Sequence, residues 1–178
     1  MNMESVIENI LLNSYKNEMI SFMNANPEFF EEAIELAVSD KQPYSWRAAY
    51  VLWSVIEKND KRVQKHIKKI VDAVKNKDDG HQRELLKILL VMDLDEKYEG
   101  VLFNICMDIW EQINKSPSVR INALKFLVKI AKRHPELKQE ISFLIQDHYL
   151  ESLSPGARHS AKKIMNEINN RSTECDRC

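Results

Sequence analysis

Four arginines recur along this chain at a nearly constant interval, and that interval restricts the fold more than any other feature. Arg47, Arg83, Arg120 and Arg158 follow one another at almost equal distances along the sequence. Three residues after each come Tyr50, Leu86, Ala123 and Ala161, and six after come Trp53, Leu89, Phe126 and Ile164. The period therefore carries a charge and a core pattern together, as a repeated supersecondary unit does. Within each period there is room for two helices. Proline or aspartate marks predicted helix starts near 27, 43, 60, 79, 95, 117, 135 and 155, so each start follows the last by one helix and a short turn.

All five prolines sit where a missing N–H costs nothing, in the first turn of a helix. Asn26, Ser116 and Ser154 precede three of them as candidate caps, and Asp60, Asp79 and Asp95 are candidates for the remaining starts. Apolar residues then recur at three and four, as in Phe30, Ile34, Ala37; Val63, Ile67, Ile70, Val74; Val101, Ile105, Ile109, Ile113; and Leu137, Ile141, Leu144. Val6, Ile10, Ile20 and Met23 predict one or two short helices before Pro27, broken near Asn13-Ser14. Residues 46 to 56 and 85 to 92 are apolar on nearly every side, as helices packed between neighbours are. No stretch reads as a strand. Gly80, Gly100 and Gly156 are the only glycines, too few and too scattered for a phosphate-cradling loop.

Helix pairs repeating at a period of this length define an α-solenoid. Ser118-Val119-Arg120-Ile121-Asn122-Ala123-Leu124-Lys125-Phe126-Leu127 resembles the Val-Arg-x-x-Ala-x-x-x-Leu start of the second helix in HEAT repeats. Trp46-Arg47-Ala48-Ala49 and Ala157-Arg158-His159-Ser160-Ala161 are weaker versions of it. The resemblance covers about residues 27 to 170 and points to a small bacterial HEAT-like, armadillo-type solenoid. It implies an all-α, right-handed α-α superhelix of about four helix pairs plus N-terminal helices, with residues 1 to 170 as a single domain and 171 to 178 as a polar, disordered tail. In HEAT proteins this arginine and an aspartate in the preceding turn form a ladder between repeats. The resemblance thus implies structural roles for Arg47, Arg83, Arg120 and Arg158, with Asp40, Asp78, Asp79 and Glu151 as nearby acids and Asn114 standing where Arg120 wants a carboxylate. It also implies a scaffold for protein partners, a minority of the family gripping DNA or RNA.

The net charge of −1, from 26 Lys+Arg and 27 Asp+Glu, conceals segmentation. Residues 115 to 133 carry Lys115, Arg120, Lys125, Lys129, Lys132 and Arg133 and no acid, and Arg158, Lys162 and Lys163 follow one repeat later. Lys87 aligns with the Lys162 position, so a basic stripe is expected along the inner, second-helix face. Residues 1 to 40 hold eight acids against Lys16 alone, so a dipolar molecule is expected. Two readings of the stripe stand side by side: a groove for an acidic partner, or long side chains that solvate helix faces and pair with neighbouring acids. A further basic face, Lys61, Lys65, Lys68 and Lys69, lies on a first helix and is expected to point outward. Trp46, Tyr50 and Trp53, spaced i, i+4 and i+7, are either a binding hot spot or core packing between repeats.

Catalytic motifs are lacking. Cys175-Asp176-Arg177-Cys178 has CxxC spacing, but a structural zinc needs a second ligand pair that the chain does not hold. Cys106 falls inside an apolar helix, and His66, His81, His134, His148 and His159 form no HExxH. Asp93-Leu94-Asp95-Glu96 begins like a calcium loop, but Tyr98 and Asn104 occupy the positions of its glycine and glutamate. No signal peptide or apolar span is evident, so a cytoplasmic protein is expected, with the Asn170-Arg171-Ser172 sequon of no consequence.

The chain therefore reads as a non-catalytic protein-binding scaffold without metal or cofactor. Lys87, Lys125, Lys129, Lys132, Arg158 and Lys162 are its expected contacts to another protein with an acidic surface. The alternative is a nucleic-acid-binding or DNA-repair protein similar to the alkylpurine DNA glycosylases, also built from HEAT-like pairs. It draws on the basic stripe and three tryptophans, and a net charge of −1 opposes it. A metabolic enzyme is the remaining and weakest reading.

Overall fold

Each predicted start opens a helical segment in the computed structural model, which describes residues 5–169. The chain divides into two compact units, the first ending at Asp95 and the second beginning at Glu96. The first holds α1 (Val6–Asn13), α2 (Lys16–Ala25), a 3-10 turn at Pro27–Phe29, α3 (Phe30–Val38), α4 (Tyr44–Val55), α5 (Lys61–Gln64), α6 (Ile67–Val74) and α7 (Asp79–Leu90). The second holds α8 (Glu96–Glu111), α9 (Pro117–Ala131), a 3-10 turn at Pro135–Leu137, α10 (Lys138–Ser142), another at Phe143–Ile145, α11 (Asp147–Leu150) and α12 (Pro155–Asn169). No strand occurs among the described residues. The Cys175 and Cys178 pair, the sequon and the expected tail lie outside them.

Local chemistry explains the starts. A capping box opens α1, where Glu8 N–H donates to Ser5 Oγ at 3.3 Å and Ser5 N–H to Glu8 Oε2 at 3.2 Å. Asp60 Oδ1 accepts from Arg62 N–H at 2.9 Å, and Ser154 Oγ from Ala157 N–H at 3.4 Å. Three caps differ from expectation. Asp78, not Asp79, caps α7, its carboxylate accepting from His81 N–H at 2.9 Å. Asn26 and Ser116 make no side-chain cap bond; the Asn26 amide donates backwards to Phe22 O at 2.8 Å.

Two helices expected to be continuous are broken. The run from Val63 to Val74 is interrupted at His66, whose Nε2 lies 2.6 Å from Glu31 Oε2 of α3. Between Pro135 and Leu150 the chain runs as alternating short α and 3-10 pieces. There the Ser142 hydroxyl donates to Gln139 O at 2.6 Å, a local bond of the kind that competes with a regular helix.

In the first unit α4 packs between α3 and α7, and Ala48, Ala49, Val51 and Leu52 are buried in that sandwich. In the second, α9 packs between α8 and α12 and buries Phe126, Leu127 and Ile130 among the residues that it hides from solvent. Four of the eight acids of the N-terminal segment face cations from elsewhere in the first unit. Glu8 pairs with Lys41, Glu31 with Lys65 and His66, Glu35 with Lys69, and Asp40 with Lys77. These pairs absorb Lys65 and Lys69 of the outer basic face. The lysines beside Glu8, Glu31 and Asp40, and Arg62 beside Asp60, hold those carboxyls below their usual range.

His81 is fully buried at the start of α7, with both ring nitrogens in use: Nε2–H donates to Ala37 O at 2.7 Å and Nδ1 accepts from the Gln42 amide at 3.2 Å. That pattern belongs to the neutral ring. Burial pulls its pKa down, although the Ala37 carbonyl favours the proton. As pH falls through the unfolded-state value of about 6.5, the unfolded chain takes up a proton that the folded one refuses, so stability must fall. Urea unfolding at pH 7.5 and 5.5 should show a lower midpoint at the acid value, and His81→Gln should largely remove the difference. The carboxylate pairs act in a lower window, below their ordinary values of 4.5 and 3.8.

Candidate functional site

The repeated arginines begin the second helix of each pair, and three of them reach main-chain oxygens. A helix leaves its last carbonyls without intrahelical donors, and guanidinium offers five N–H groups in a rigid fork. Arg47 donates from Nε to Leu11 O, near the end of α1, and from Nη2 to Ser14 O at 2.9 Å. Arg120, fully buried, donates to Trp110 O at 2.9 Å, Tyr149 O at 2.7 Å and Ser152 Oγ at 2.7 Å. Its guanidinium lies over the Trp110 ring at 4.8 Å, and Trp110 in turn donates to Leu144 O at 2.9 Å. Burial pulls the Arg120 pKa below the usual guanidinium value. Arg158 donates to Leu153 O at 2.8 Å and Glu151 O at 3.0 Å.

The aspartate–arginine ladder implied by the resemblance takes a different form here, with carbonyls as the acceptors. Asp40 pairs with Lys77, and Asp78 is the α7 cap. At the Arg83 position the task passes to its neighbour: Gln82 Nε2 donates to Val74 O, at the end of α6, at 2.8 Å. Arg83 itself turns to Glu84, with Nε and Nη2 at 2.7 and 2.6 Å from Oε1.

The six expected contact cations are not equivalent. Lys125 on α9 and Lys162 on α12 are exposed, and Lys129 is partly buried. Lys132 pairs with Glu167 of α12, while the Arg158 head group holds carbonyls. Lys87 belongs to the first unit, where its Nζ lies 3.0 and 3.3 Å from the Glu84 oxygens.

Glu84 is the residue that sequence reasoning missed. It is completely buried, clasped by Arg83 and Lys87, whose side chains are 32% and 24% exposed. Lys87 Nζ sits 4.5 Å from the centre of the Trp53 ring. Trp46, Tyr50 and Trp53 are half-buried, neither wholly core nor free. The Trp46 and Tyr50 rings lie 6.2 Å apart, with Lys16 over Tyr50 at 5.3 Å and Arg47 over Trp46 at 5.7 Å. Aromatics and cations thus alternate across the α4/α7 side of the first unit. The available signal was a carboxylate immediately before the apolar run Leu85–Met92.

The second unit has a pocket of about 380 Å³ lined by Glu96, Glu99, Gly100, Phe103, Asn104, Ile130, His134 and Leu137. Glu99 is buried there beside Arg133 and 3.4 Å from His134 Nε2. Burial pushes the Cys106 thiol far up, away from nucleophilic use. No group of metal-ligating side chains occurs among the described residues, and no helix there is long and apolar enough to cross a membrane.

Paired helices packed into layers, with a capping arginine entering second helices, define an α-helical repeat protein. The chain belongs to the HEAT repeat domain family, which it matches over residues 6–168. No curated protein and no solved structure matches it.

Two stabilities follow from this geometry, both readable through Trp110, the sole tryptophan of the second unit. Arg120→Met leaves the Trp110 and Tyr149 carbonyls without their donor and should lower stability by about 3 kcal/mol or more in urea unfolding. Gly100 sits within α8, and a Cβ added there meets nothing within 4 Å. Gly100→Ala should therefore raise stability by about 0.5 to 1 kcal/mol.

Proposed function

We propose that this chain is a non-catalytic scaffold that binds another protein through its second helices, α4 and α7 in the first unit and α9 and α12 in the second. Membership of the HEAT repeat domain family carries the reading, since such repeats commonly serve protein interactions. Residues 1 to 170 act as one domain in this proposal, in the cytoplasm and without a cofactor. Arg47 and Arg120 stitch separate helices together, whereas Arg158 holds the turn before its own helix and Arg83 holds Glu84. The partner presents an acidic surface, and the proposed contacts are Lys125, Lys129, Lys132, Arg158 and Lys162 on the second unit and, separately, Lys87 on the first. Of these Lys125 and Lys162 are exposed, while Lys132 and Arg158 act through their field, because their head groups hold Glu167 and main-chain oxygens.

A nucleic-acid partner fits less well. A net charge of −1 opposes a polyphosphate, whose binding depends on displacing counterions with several free cations. The discriminating experiment is a nuclease-treated affinity capture from cell lysate, comparing wild type with the Lys125→Glu, Lys129→Glu, Lys162→Glu triple variant. A protein held by wild type and lost by the folded variant is the expected result. Undiminished capture by the variant removes the electrostatic part. Recovery of nucleic acid alone when nuclease is omitted, released steeply between about 50 and 200 mM salt, replaces the reading.

A further inference from the structure

Glu84 is difficult to explain by stability. Withdrawing a carboxylate from water carries a large penalty, and clusters of this kind are often replaceable by apolar side chains without loss. What Glu84 does account for is the position of two cations. Arg83 and Lys87 are fixed on it at 2.6 to 3.3 Å while each keeps about a quarter to a third of its side chain in solvent. Lys87 is thereby held over Trp53. The Trp53 indole N–H is buried and has no acceptor among the described residues, and such a donor is uncommon because most buried polar groups are paired.

Around this ledge the helix spacing collects the remaining groups. Trp46, Tyr50 and Trp53 share one side of α4, each half-buried, with Lys16 and Arg47 on the rings of Tyr50 and Trp46. Arg83 and Lys87 on Glu84, Lys87 on Trp53, Lys16 on Tyr50 and Arg47 on Trp46 thus interleave four cations with three large aromatic rings. Tryptophan, tyrosine and arginine are the residue types that dominate interface hot spots. Stiff rings and pre-held cations lose little freedom on binding.

Resting on the scaffold reading above, we infer that the α4/α7 side of the first unit is its hot spot and takes an acidic, extended segment of the partner bearing an aromatic or large aliphatic anchor. Carboxylates of that segment meet Lys16, Arg83 and Lys87, and the anchor packs on Trp46 and Trp53. Glu84 is a positioning residue that never touches the partner. A single strand of nucleic acid, the other occupant with negative charge and flat rings, is disfavoured. A phosphodiester strand carries a charge at every nucleotide, which the net charge of −1 opposes more than it opposes a peptide with a few carboxylates.

The test pans a library of random twelve-residue peptides against the full chain and titrates a selected peptide while following tryptophan fluorescence. The inference requires a consensus rich in Asp and Glu with an aromatic or large aliphatic residue, and saturable binding. Trp53→Ala and, should that variant misfold, the surface change Lys16→Glu should each weaken binding about tenfold. Glu84→Gln separates positioning from bulk charge. It makes this side of the unit more positive, yet should weaken binding because Arg83 and Lys87 lose their anchor. A basic or absent consensus, affinity unchanged in Lys16→Glu, tighter binding by Glu84→Gln, or displacement of the peptide by a fifteen-residue oligothymidylate would each overturn it. A lysate partner still captured by Lys16→Glu and Glu84→Gln would end this inference and leave the scaffold itself standing.

Discussion

The fold depends on a guanidinium satisfying carbonyls that a helix cannot satisfy for itself. When a first helix ends inside a protein, its last oxygens must find donors away from water, and a buried orphan carbonyl is expensive. Arg120 meets this need at the end of α8 and, with the same fork, next to α11. It joins neighbouring helix pairs in the second unit because its donors diverge. Lysine has no such fork. The same need is met in the first unit by Arg47 at the end of α1 and by Gln82, next to Arg83, at the end of α6.

That logic made the fold readable from one sequence. Arginine, small or apolar residues at the third and sixth places after it, and proline or aspartate at the starts agree on the same helix pairs, and such agreement between levels marks a foldable sequence. The breaks at His66 and Ser142 were not readable, because they depend on a partner on another helix or on a hydroxyl choosing its nearest carbonyl. The arginines' acceptors were hidden for a similar reason. Every residue has a carbonyl, so no side-chain letter announces which one is used, whereas Asp40 and Glu151 announce themselves and proved to be distractions.

The charges were legible as segments and illegible as pairs. A cationic run looks the same whether its members face water or an acid one repeat away, and Lys125 and Lys132 show both outcomes two turns apart on a single helix segment. Glu84 shows the limit most clearly. Nothing in its letter marks it, and packing of α7 against α4 makes it the most enclosed carboxylate of the first unit.

The ion pairs have a consequence for how such a chain changes over generations. Apart from local pairs such as Arg83 with Glu84, the pairs between helices join residues 33 to 37 apart, as in Glu8 with Lys41, Glu35 with Lys69, Asp40 with Lys77, Glu99 with Arg133 and Lys132 with Glu167. One helix pair is therefore also one electrostatic step. Duplication or loss of a whole pair moves both halves of the pattern by the same amount and brings an acid opposite a base again. A shorter insertion breaks that register. Unequal recombination in units of one repeat is thus the lengthening that this charge arrangement tolerates, and sign changes at one position should be inherited together with their complement one repeat away.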